Sequence, residues 1–226
     1  MSDPSTLKNI KNILWDVDGT LFSSEGIIHQ IYQDVFQAYR ARHGVPRRVP
    51  TLPEILDQIG KPVKTIFENL APDLSDEQRS QIGLSILHGL VQAITSGLGE
   101  HYADVRAVLE ALHGRGYRFF AASNGRFPYI EAILRSNATL PLFTDVRTVD
   151  NRLIHNKVDL VRSILTDYQL LPAETVLIGD RKSDSEGAAQ NGLAFIACAF
   201  GHGAPEEWDR PVVVLHSLRE LLDILK

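Results

Sequence analysis

The chain has 226 residues, 44% of them hydrophobic, which suffices for one large domain or for a domain with an insert. Its formal net charge of −5, without a dense Lys/Arg block, argues against nucleic-acid binding. A single cysteine, Cys198, excludes an intrachain disulfide and fits a reducing compartment. No signal-peptide pattern and no apolar run of about 18 residues are visible, so we expect a cytoplasmic protein with no membrane partner.

The first part of the chain predicts one strand followed by helices alone. Residues 12–15 form an apolar run that reads as a buried strand, and helical spacing of apolar residues begins at Gly26 and ends near Gly44. Further helices are predicted over 52–59, 63–70 and 75–94. No strand pattern interrupts residues 23–99, which we interpret as an all-helical cap domain inserted into a core of residues 1–22 and 100–226.

Strands and helices alternate in the second part of the chain. The predicted helices cover 104–113, 128–135, 158–168, 186–191 and 218–225, and the predicted strands cover 117–122, 175–178, 193–198 and 212–215. This alternation implies right-handed crossovers and an α/β fold with a Rossmann-like parallel sheet and helices on both faces. In such sheets, ligands bind beyond the carboxyl ends of the strands.

The first predicted strand ends in two aspartates, Asp16 and Asp18, followed by a Gly-Thr turn. Each ionised carboxylate makes the other harder to ionise, so two like charges at the end of a buried strand bring a fold no obvious stability. A cation site, or a site that needs one acid and one base, uses such a pair. The doublet alone also fits a solvated turn.

Polar residues stand at three further places that the sheet would bring to the same edge. Ser123 and Asn124 follow the second core strand, and Asp180 follows a later strand, with Asp184 four residues on. Lys157 begins a predicted helix, where an ammonium and a helix N-terminus both favour an anion. Each feature is common alone, but the four in this order, mostly at strand ends, are a strong signal of a functional site.

The segments that carry these residues resemble the motifs of the haloacid dehalogenase-like hydrolase superfamily, in its phosphatase branch. DVDGTL at 16–21 matches the first motif, Ser123 the second, Lys157 the third, and GDRKSD at 179–184 the fourth. A helical cap after the first strand is also a family feature, so the similarity covers nearly the whole chain. GDRKSDSEGAAQNG and AFGHG add a resemblance to phosphoglycolate phosphatases.

The resemblance implies Mg²⁺-dependent hydrolysis of a small-molecule phosphate monoester through an aspartyl-phosphate. Asp16 would be the nucleophile, and Asp18 would protonate the leaving alkoxide and then deprotonate the attacking water. Ser123 and the amide of Asn124 would hold the phosphoryl oxygens. Lys157 would neutralise charge on the phosphoryl group and on the nucleophile.

The same resemblance implies how Mg²⁺ would be bound. Asp16, the backbone carbonyl of Asp18 and the carboxylate of Asp180 would supply oxygen ligands, which Mg²⁺ prefers. Asp184 would be a further ligand, direct or through water, or would orient the motif lysine.

Two further residues are candidates for substrate contact. Lys61, on a cap loop, would suit a second negative charge such as the carboxylate of phosphoglycolate, although a solvated lysine is the simpler interpretation. His202, in AFGHG after a late strand, would border the site.

Other activities remain open at this point. A phosphomutase would need a cap that excludes water, and a phosphonatase would need a cap lysine that forms a Schiff base. A non-catalytic phosphate-binding module is also possible in principle, but it predicts broken motifs, and these are intact. The sequence leaves the oligomeric state open between a monomer and a homodimer.

Overall fold

The computed structural model describes residues 7–44, 48–150 and 154–226. Residues 1–6 of the predicted core and 45–47 of the predicted cap lie outside this description, as do residues 151–153. The strands within the described ranges are Asn12–Trp15 (β1), Phe22–Ser23 (β2), Glu100–His101 (β3), Arg118–Ser123 (β4), Phe143–Thr148 (β5), Thr175–Gly179 (β6), Ala194–Cys198 (β7) and Val213–Leu215 (β8).

The α-helices of the same ranges alternate with these strands only after residue 100. They are Glu25–His43 (α1), Leu52–Leu56 (α2), Val63–Leu70 (α3), Asp76–Thr95 (α4), Val105–Gly114 (α5), Phe127–Ser136 (α6), Lys157–Asp167 (α7), Lys182–Asn191 (α8) and Leu221–Ile224 (α9). The predicted C-terminal helix is divided, because a 3₁₀ turn at Leu218–Glu220 precedes α9.

Six of the strands form one parallel sheet in the order β5-β4-β1-β6-β7-β8. β1 lies in the middle, with Trp15 opposite Ala121 of β4 and Ile178 of β6. The residues that follow β1, β4 and β6 therefore meet at one edge. This sheet confirms the predicted α/β fold class.

Alternate residues of the central strands pack into two apolar clusters. Ile13 and Trp15 of β1 face one cluster, which also contains residues of α5 and α6. Leu14 faces the other, with Leu160 of α7 and Ala188 of α8. Because successive side chains of a strand point to opposite faces, the sheet is covered by helices on both sides.

Helices α1 to α4 come between β2 and β3 along the chain, and these two strands pair as a small antiparallel ribbon. Phe22 and Ser23 of β2 pair with His101 and Glu100 of β3, so the chain leaves and re-enters the core at adjacent places. α4 lies against α1 and α3, and also against α6 of the core. The division into a cap of residues 23–99 and a core stays a prediction, and its boundaries fall at this ribbon.

Two helix ends have the capping residues that the sequence predicts. α1 ends at Gly44, which adopts a left-handed conformation with φ 66°. At the start of α4, the Ser75 hydroxyl accepts a hydrogen bond from the backbone N–H of Gln78 at 3.3 Å. The Gln78 side chain in turn accepts one from the Ser75 N–H at 2.9 Å, which confirms the capping box.

The pattern did not reveal strand β5, which lies at the edge of the sheet. Its side chains are mostly half-buried, and it carries two charges, Asp145 and Arg147. Arg147 makes ion pairs with Asp145 at 2.8 Å and with Asp167 at 2.6 Å. Edge strands often carry charges of this kind, and the charges remove the apolar run by which a strand is recognised.

Within the described ranges, no helix is both long and apolar enough to cross a membrane.

The capping box of α4 supplies a test of helix stability. Ser75→Ala removes the hydroxyl that accepts from the Gln78 N–H, and it should lower the free energy of unfolding by about 1 kcal/mol. Ser80→Ala, in the exposed interior of the same helix, is the matched control, because alanine favours helix interiors. Urea unfolding of both variants checks this, and equal stabilities would contradict the role of the cap.

Candidate active site

Asp16 lies where β1 ends, at the centre of the sheet edge. Its backbone N–H donates to the carbonyl of Ile178 at 2.9 Å, which continues the pairing of β1 with β6. Its side chain is 7% exposed, and its Oδ1 lies 2.6 Å from Nζ of Lys157. The buried carboxylate of Asp16 is therefore paired with the ammonium of Lys157.

Lys157 is the first residue of α7, and its side chain is 2% exposed. Besides Asp16, its ammonium lies 2.8 Å from Oδ1 of Asp184 and donates to the carbonyl of Ala122 in β4. Burial lowers the pKa of Lys157, but the two carboxylates outweigh burial and raise it overall. The lysine is therefore charged at any physiological pH.

Asp16, Asp180 and Asp184 form a buried acidic cluster in which each residue offers one oxygen within 4.8 Å of the others. Burial raises the pKa of Asp16 well above its ordinary value, Lys157 opposes this, and the charges of the other two carboxylates add to it. Burial and the charge of Asp184 raise the pKa of Asp180 to about 7. Simultaneous ionisation of all three carboxylates is therefore unfavourable without a further positive charge.

The backbone and a hydroxyl hold Asp180 in place. Its Oδ2 accepts hydrogen bonds from the backbone N–H of His202 at 2.7 Å and of Gly203 at 3.1 Å. Its Oδ1 lies 3.4 Å from Oγ1 of Thr20. Gly19 has φ +92°, and a Cβ added there would lie 2.5 Å from the Asp180 carboxylate. The first motif therefore needs glycine at this position for both space and backbone conformation.

The donor set fits a divalent cation. Three buried carboxylates face one ammonium, so the cluster has two negative charges in excess when it is ionised. Its ligand atoms are all oxygens, the ligands that Mg²⁺ prefers. The predicted ligands Asp16, Asp180 and Asp184 are thus brought together, whereas the carboxylate of Asp18 is not part of this cluster.

The Asp18 carboxylate instead belongs to a separate set of hydrogen bonds. The hydroxyl of Ser24 donates to it at 3.1 Å, and the hydroxyl of Tyr129 donates to its Oδ2 at 2.8 Å. Nε2 of His202 lies 3.8 Å from its Oδ1. The two aspartates of the first motif thus have different surroundings, as one acid and one base require.

Ser123 and Asn124 follow β4 on the other side of Asp16, and both are buried. The Ser123 hydroxyl accepts from the N–H of Gly125 at 3.1 Å. Nδ2 of Asn124 donates to the carbonyl of Gly60, between α2 and α3, at 2.7 Å. Asn124 Oδ1 is buried and has no hydrogen-bond partner in the described parts of the chain.

The two candidates for substrate contact lie at different places. Lys61 lines a cavity above the acidic cluster, but its Nζ pairs with Asp57 at 3.0 Å. His202 has a side chain that is 3% exposed, and its Nδ1 lies 3.1 Å from Glu25. Its Nε2 has no hydrogen-bond partner among the described residues and faces Asp18.

Comparison with known proteins shows the family of the chain. Haloacid dehalogenase-like hydrolases match residues 13–198, a range that contains the four motifs with Asp16, Ser123, Lys157 and Asp180. The chain belongs to this family. Its membership, and with it the assignment as a phosphatase-type hydrolase, was predicted from the motifs and is confirmed.

Two curated relatives and one solved structure illustrate the similarity of this family member. A phosphoglycolate phosphatase from Vibrio vulnificus is 28% identical, covering 97% of this chain and 98% of its own. A 5'-nucleotidase from Pseudomonas aeruginosa is 30% identical, covering 87% and 86%. A haloacid dehalogenase-like hydrolase from Streptococcus pneumoniae has a TM-score of 0.80 at 23% identity, covering 96% and 99%, which shows a shared fold.

Sequence reasoning missed two residues that hold Asp18 in this hydrolase. Tyr129 lies in α6, where its apolar spacing marks it only as a core residue. Ser24 directly precedes α1 and follows the end of the first motif. Neither residue belongs to a motif that the sequence analysis used, so no local signal indicated their contact with the first motif.

The raised pKa of Asp180 makes stability in the absence of a cation depend on pH. The carboxyl titrates at about 7 in the folded chain and at about 3.9 in an unfolded one. Since the folded chain retains this proton longer, the free energy of unfolding should fall as pH rises between these two values. Urea unfolding in EDTA should therefore show a steeper decline for the wild type than for Asp180→Asn.

The matched control for this experiment is Asp223→Asn, at an exposed position in α9. It should follow the wild-type pH dependence. An Asp180→Asn protein that declines as steeply as the wild type would contradict the buried titration.

The hydrogen bond from Tyr129 to Asp18 supplies a second test. Burial and the charge of Asp18 raise the pKa of Tyr129, so its hydroxyl stays protonated and donates. Tyr129→Phe should lower kcat/KM for a phosphomonoester about tenfold, the usual effect of losing a hydrogen bond to a charged group. Tyr117→Phe removes a hydroxyl that donates to the carbonyl of Lys226 and should leave the rate unchanged. Equal rates for the two variants would count against the contact.

Proposed function

We propose that this chain catalyses the Mg²⁺-dependent hydrolysis of a small-molecule phosphate monoester through an aspartyl-phosphate on Asp16. The observation that carries this proposal is the position of Asp16. One carboxylate contacts the ammonium of Lys157, belongs to the acidic cluster with Asp180 and Asp184, and opens on a cavity that Asp18 and Ser123 also line. The names of the two curated relatives denote phosphate ester hydrolysis, which supports the same reaction class.

The residues would bind the substrate with its phosphorus in front of Asp16. Ser123 and the backbone amide of Asn124 would donate to the phosphoryl oxygens, and Lys157 would reduce the repulsion between carboxylate and phosphate. Asp16, Asp180, Asp184 and the carbonyl of Asp18 would hold Mg²⁺. When bound, the cation would supply positive charge that offsets the repulsion between the carboxylate and the phosphate.

The reaction would then proceed in two displacements. An oxygen of Asp16 forms a bond to phosphorus while the ester P–O bond breaks, and protonated Asp18 gives its proton to the departing alkoxide. Asp18, now ionised, accepts a proton from the water that attacks the aspartyl-phosphate. Inorganic phosphate leaves, and both carboxyl groups return to their first state, so charges and protons balance over the cycle.

Tyr129 and Ser24 orient Asp18 for both transfers, because each donates to its carboxylate. His202 would keep the loop after β7 against this carboxylate. Lys61 lines the same cavity, and its contact with substrate remains part of the proposal. The proposal extends to a cytoplasmic setting, which the sequence predicts, and to a monomer or a homodimer.

Phosphate release from a panel of phosphomonoesters tests the function. The panel includes phosphoglycolate and a nucleoside monophosphate, each assayed with Mg²⁺ and with EDTA. We expect turnover with Mg²⁺ and a loss of about a thousandfold or more in Asp16→Asn, because removal of a nucleophile has effects of this size.

Asp223→Asn, with the same chemical change far from the site, should keep full activity. Turnover that survives Asp16→Asn or EDTA would overturn the assignment of the nucleophile or the need for the cation.

A further inference from the structure

A cavity extends from the acidic cluster into the helical segment. Asp16, Asp18 and Ser123 line its reactive end, and helices α1, α3 and α4 contribute to the remainder. Its volume is about 100 Å³. This space is therefore available to the group that a bound phosphate carries as its ester.

Apart from Gln58 and Lys61, the side chains that the helical segment contributes to the lining of this cavity are apolar. Six buried residues among them form what we call the apolar wall: Ile28, Tyr32, Ile55, Phe67, Ile86 and Leu90. The rings of Tyr32 and Phe67 lie nearly parallel, with their centroids 6.4 Å apart. These side chains offer contact area but no charge.

The charges that line the cavity all lie at its reactive end or at the junction of the two segments. Among the described lining residues, they are Asp16, Asp18, Lys61 and Arg126. The last two adjoin the hydrogen bond between Asn124 and Gly60, so they lie near the phosphate-binding turn. Both also face carboxylates, since Lys61 pairs with Asp57 and Arg126 lies 3.7 Å from Asp150.

We infer that the substrate carries an uncharged, apolar leaving group, a short branched alkyl or small ring alcohol, which packs against the apolar wall. This inference rests on the proposed function, since it concerns the group that leaves when Asp16 attacks. Apolar surface removed from water by these residues would stabilise such a group. A carboxylate at the same place would lose its hydration and gain no partner from the wall.

The size of the cavity bears on this group. A closed cavity of about 150 Å³ lined by Leu, Ile and Phe holds benzene, and the present one is smaller but partly open to solvent, so it accommodates a short alkyl or small ring group and lets part of a larger ester protrude. The glycolate part of phosphoglycolate would fit by volume, but its carboxylate would have to lie among the apolar side chains. Charge, and not volume, therefore disfavours the substrate named in the Vibrio relatives.

Two phosphonates of equal shape test the inference. Isopentylphosphonate ends in two methyl groups, and phosphonopropionate ends in a carboxylate in the same geometry. Neither can be hydrolysed as an ester, so differences in leaving ability do not enter. With Mg²⁺ present, we expect both compounds to inhibit p-nitrophenyl phosphate turnover. The inhibition constant of isopentylphosphonate should be at least about tenfold lower than that of phosphonopropionate, because apolar pockets discriminate at this level.

A charge placed beside the apolar wall should reverse this preference. Leu87 of α4 is half-buried and lines the cavity, so Leu87→Lys places an ammonium there with little strain. The ratio of the two inhibition constants should shift at least about tenfold toward phosphonopropionate. Leu84→Lys, three residues earlier on the exposed face and 53% exposed, is the matched control and should leave the ratio unchanged.

Methylphosphonate reports on folding, because it reaches Asp16 but not the apolar wall. Its inhibition constant should be the same in the wild type and in both variants. If Leu87→Lys loses methylphosphonate binding, the substitution has disturbed the phosphate site itself, and the variant cannot report on the preference of the cavity. Gly83→Ala then replaces it, since a Cβ at Gly83 would lie 2.9 Å from the Phe67 ring and displace this part of the apolar wall. That variant should weaken isopentylphosphonate alone.

The outcomes separate the two proposals. Turnover of the reporter with equal inhibition by the two compounds, or with tighter binding of phosphonopropionate, overturns the apolar leaving group and leaves the phosphatase intact. Without reporter turnover, the proposed function fails, and calorimetric titration of the two phosphonates in Mg²⁺ still decides the preference of the cavity.

Discussion

The buried ammonium of Lys157 is the group on which the rest of the site depends. It contacts Asp16 after β1, the carbonyl of Ala122 in β4 and Asp184 in α8, while it begins α7 itself. One positive charge therefore connects two strands and two helices at the carboxyl edge of the sheet. Because an unpaired buried charge is far more costly than a paired one, these elements have little freedom to move apart.

This arrangement also leaves the acidic cluster short of positive charge. Ionising all three buried carboxylates around one ammonium is unfavourable, and the raised pKa of Asp180 reflects this. A bound cation would supply the missing positive charge. Asp18 lies outside the cluster, with hydroxyl donors in place of the ammonium. Two aspartates separated only by Val17 thus acquire different chemistry, because Asp16 continues the pairing of β1 with β6 whereas Asp18 begins the turn that leads to β2.

The cavity has a similar division between a polar and an apolar end. Motif residues of the core supply the polar end, and apolar side chains from between β2 and β3 supply the other. Asn124 connects the two, since its side-chain amide donates to Gly60 while the turn that carries it faces Asp16. The reaction type and the choice of substrate therefore depend on different parts of the sequence.

That separation explains what the sequence could predict. Asp16, Lys157 and Asp180 lie at strand and helix ends within recognisable motifs, so their convergence followed from the order of the elements. Tyr129 reaches Asp18 from a helix whose spacing shows only burial, and no pattern indicates such a contact. The apolar wall depends on how the first helices pack, which their individual periodicities do not specify. Strand β5 was missed because its charges hid the strand pattern.

The charged edge strand β5 bears on how copies of this chain can associate. An open edge of a parallel sheet exposes unpaired backbone groups and can join the edge of another molecule. Here Arg147 is engaged by Asp145 on its own strand and by Asp167 at the end of α7. A second chain that extended the sheet at this edge would have to accommodate these ion pairs beside its own backbone. Self-association through continuous sheet formation is therefore disfavoured at β5, and any homodimer is expected to use another surface.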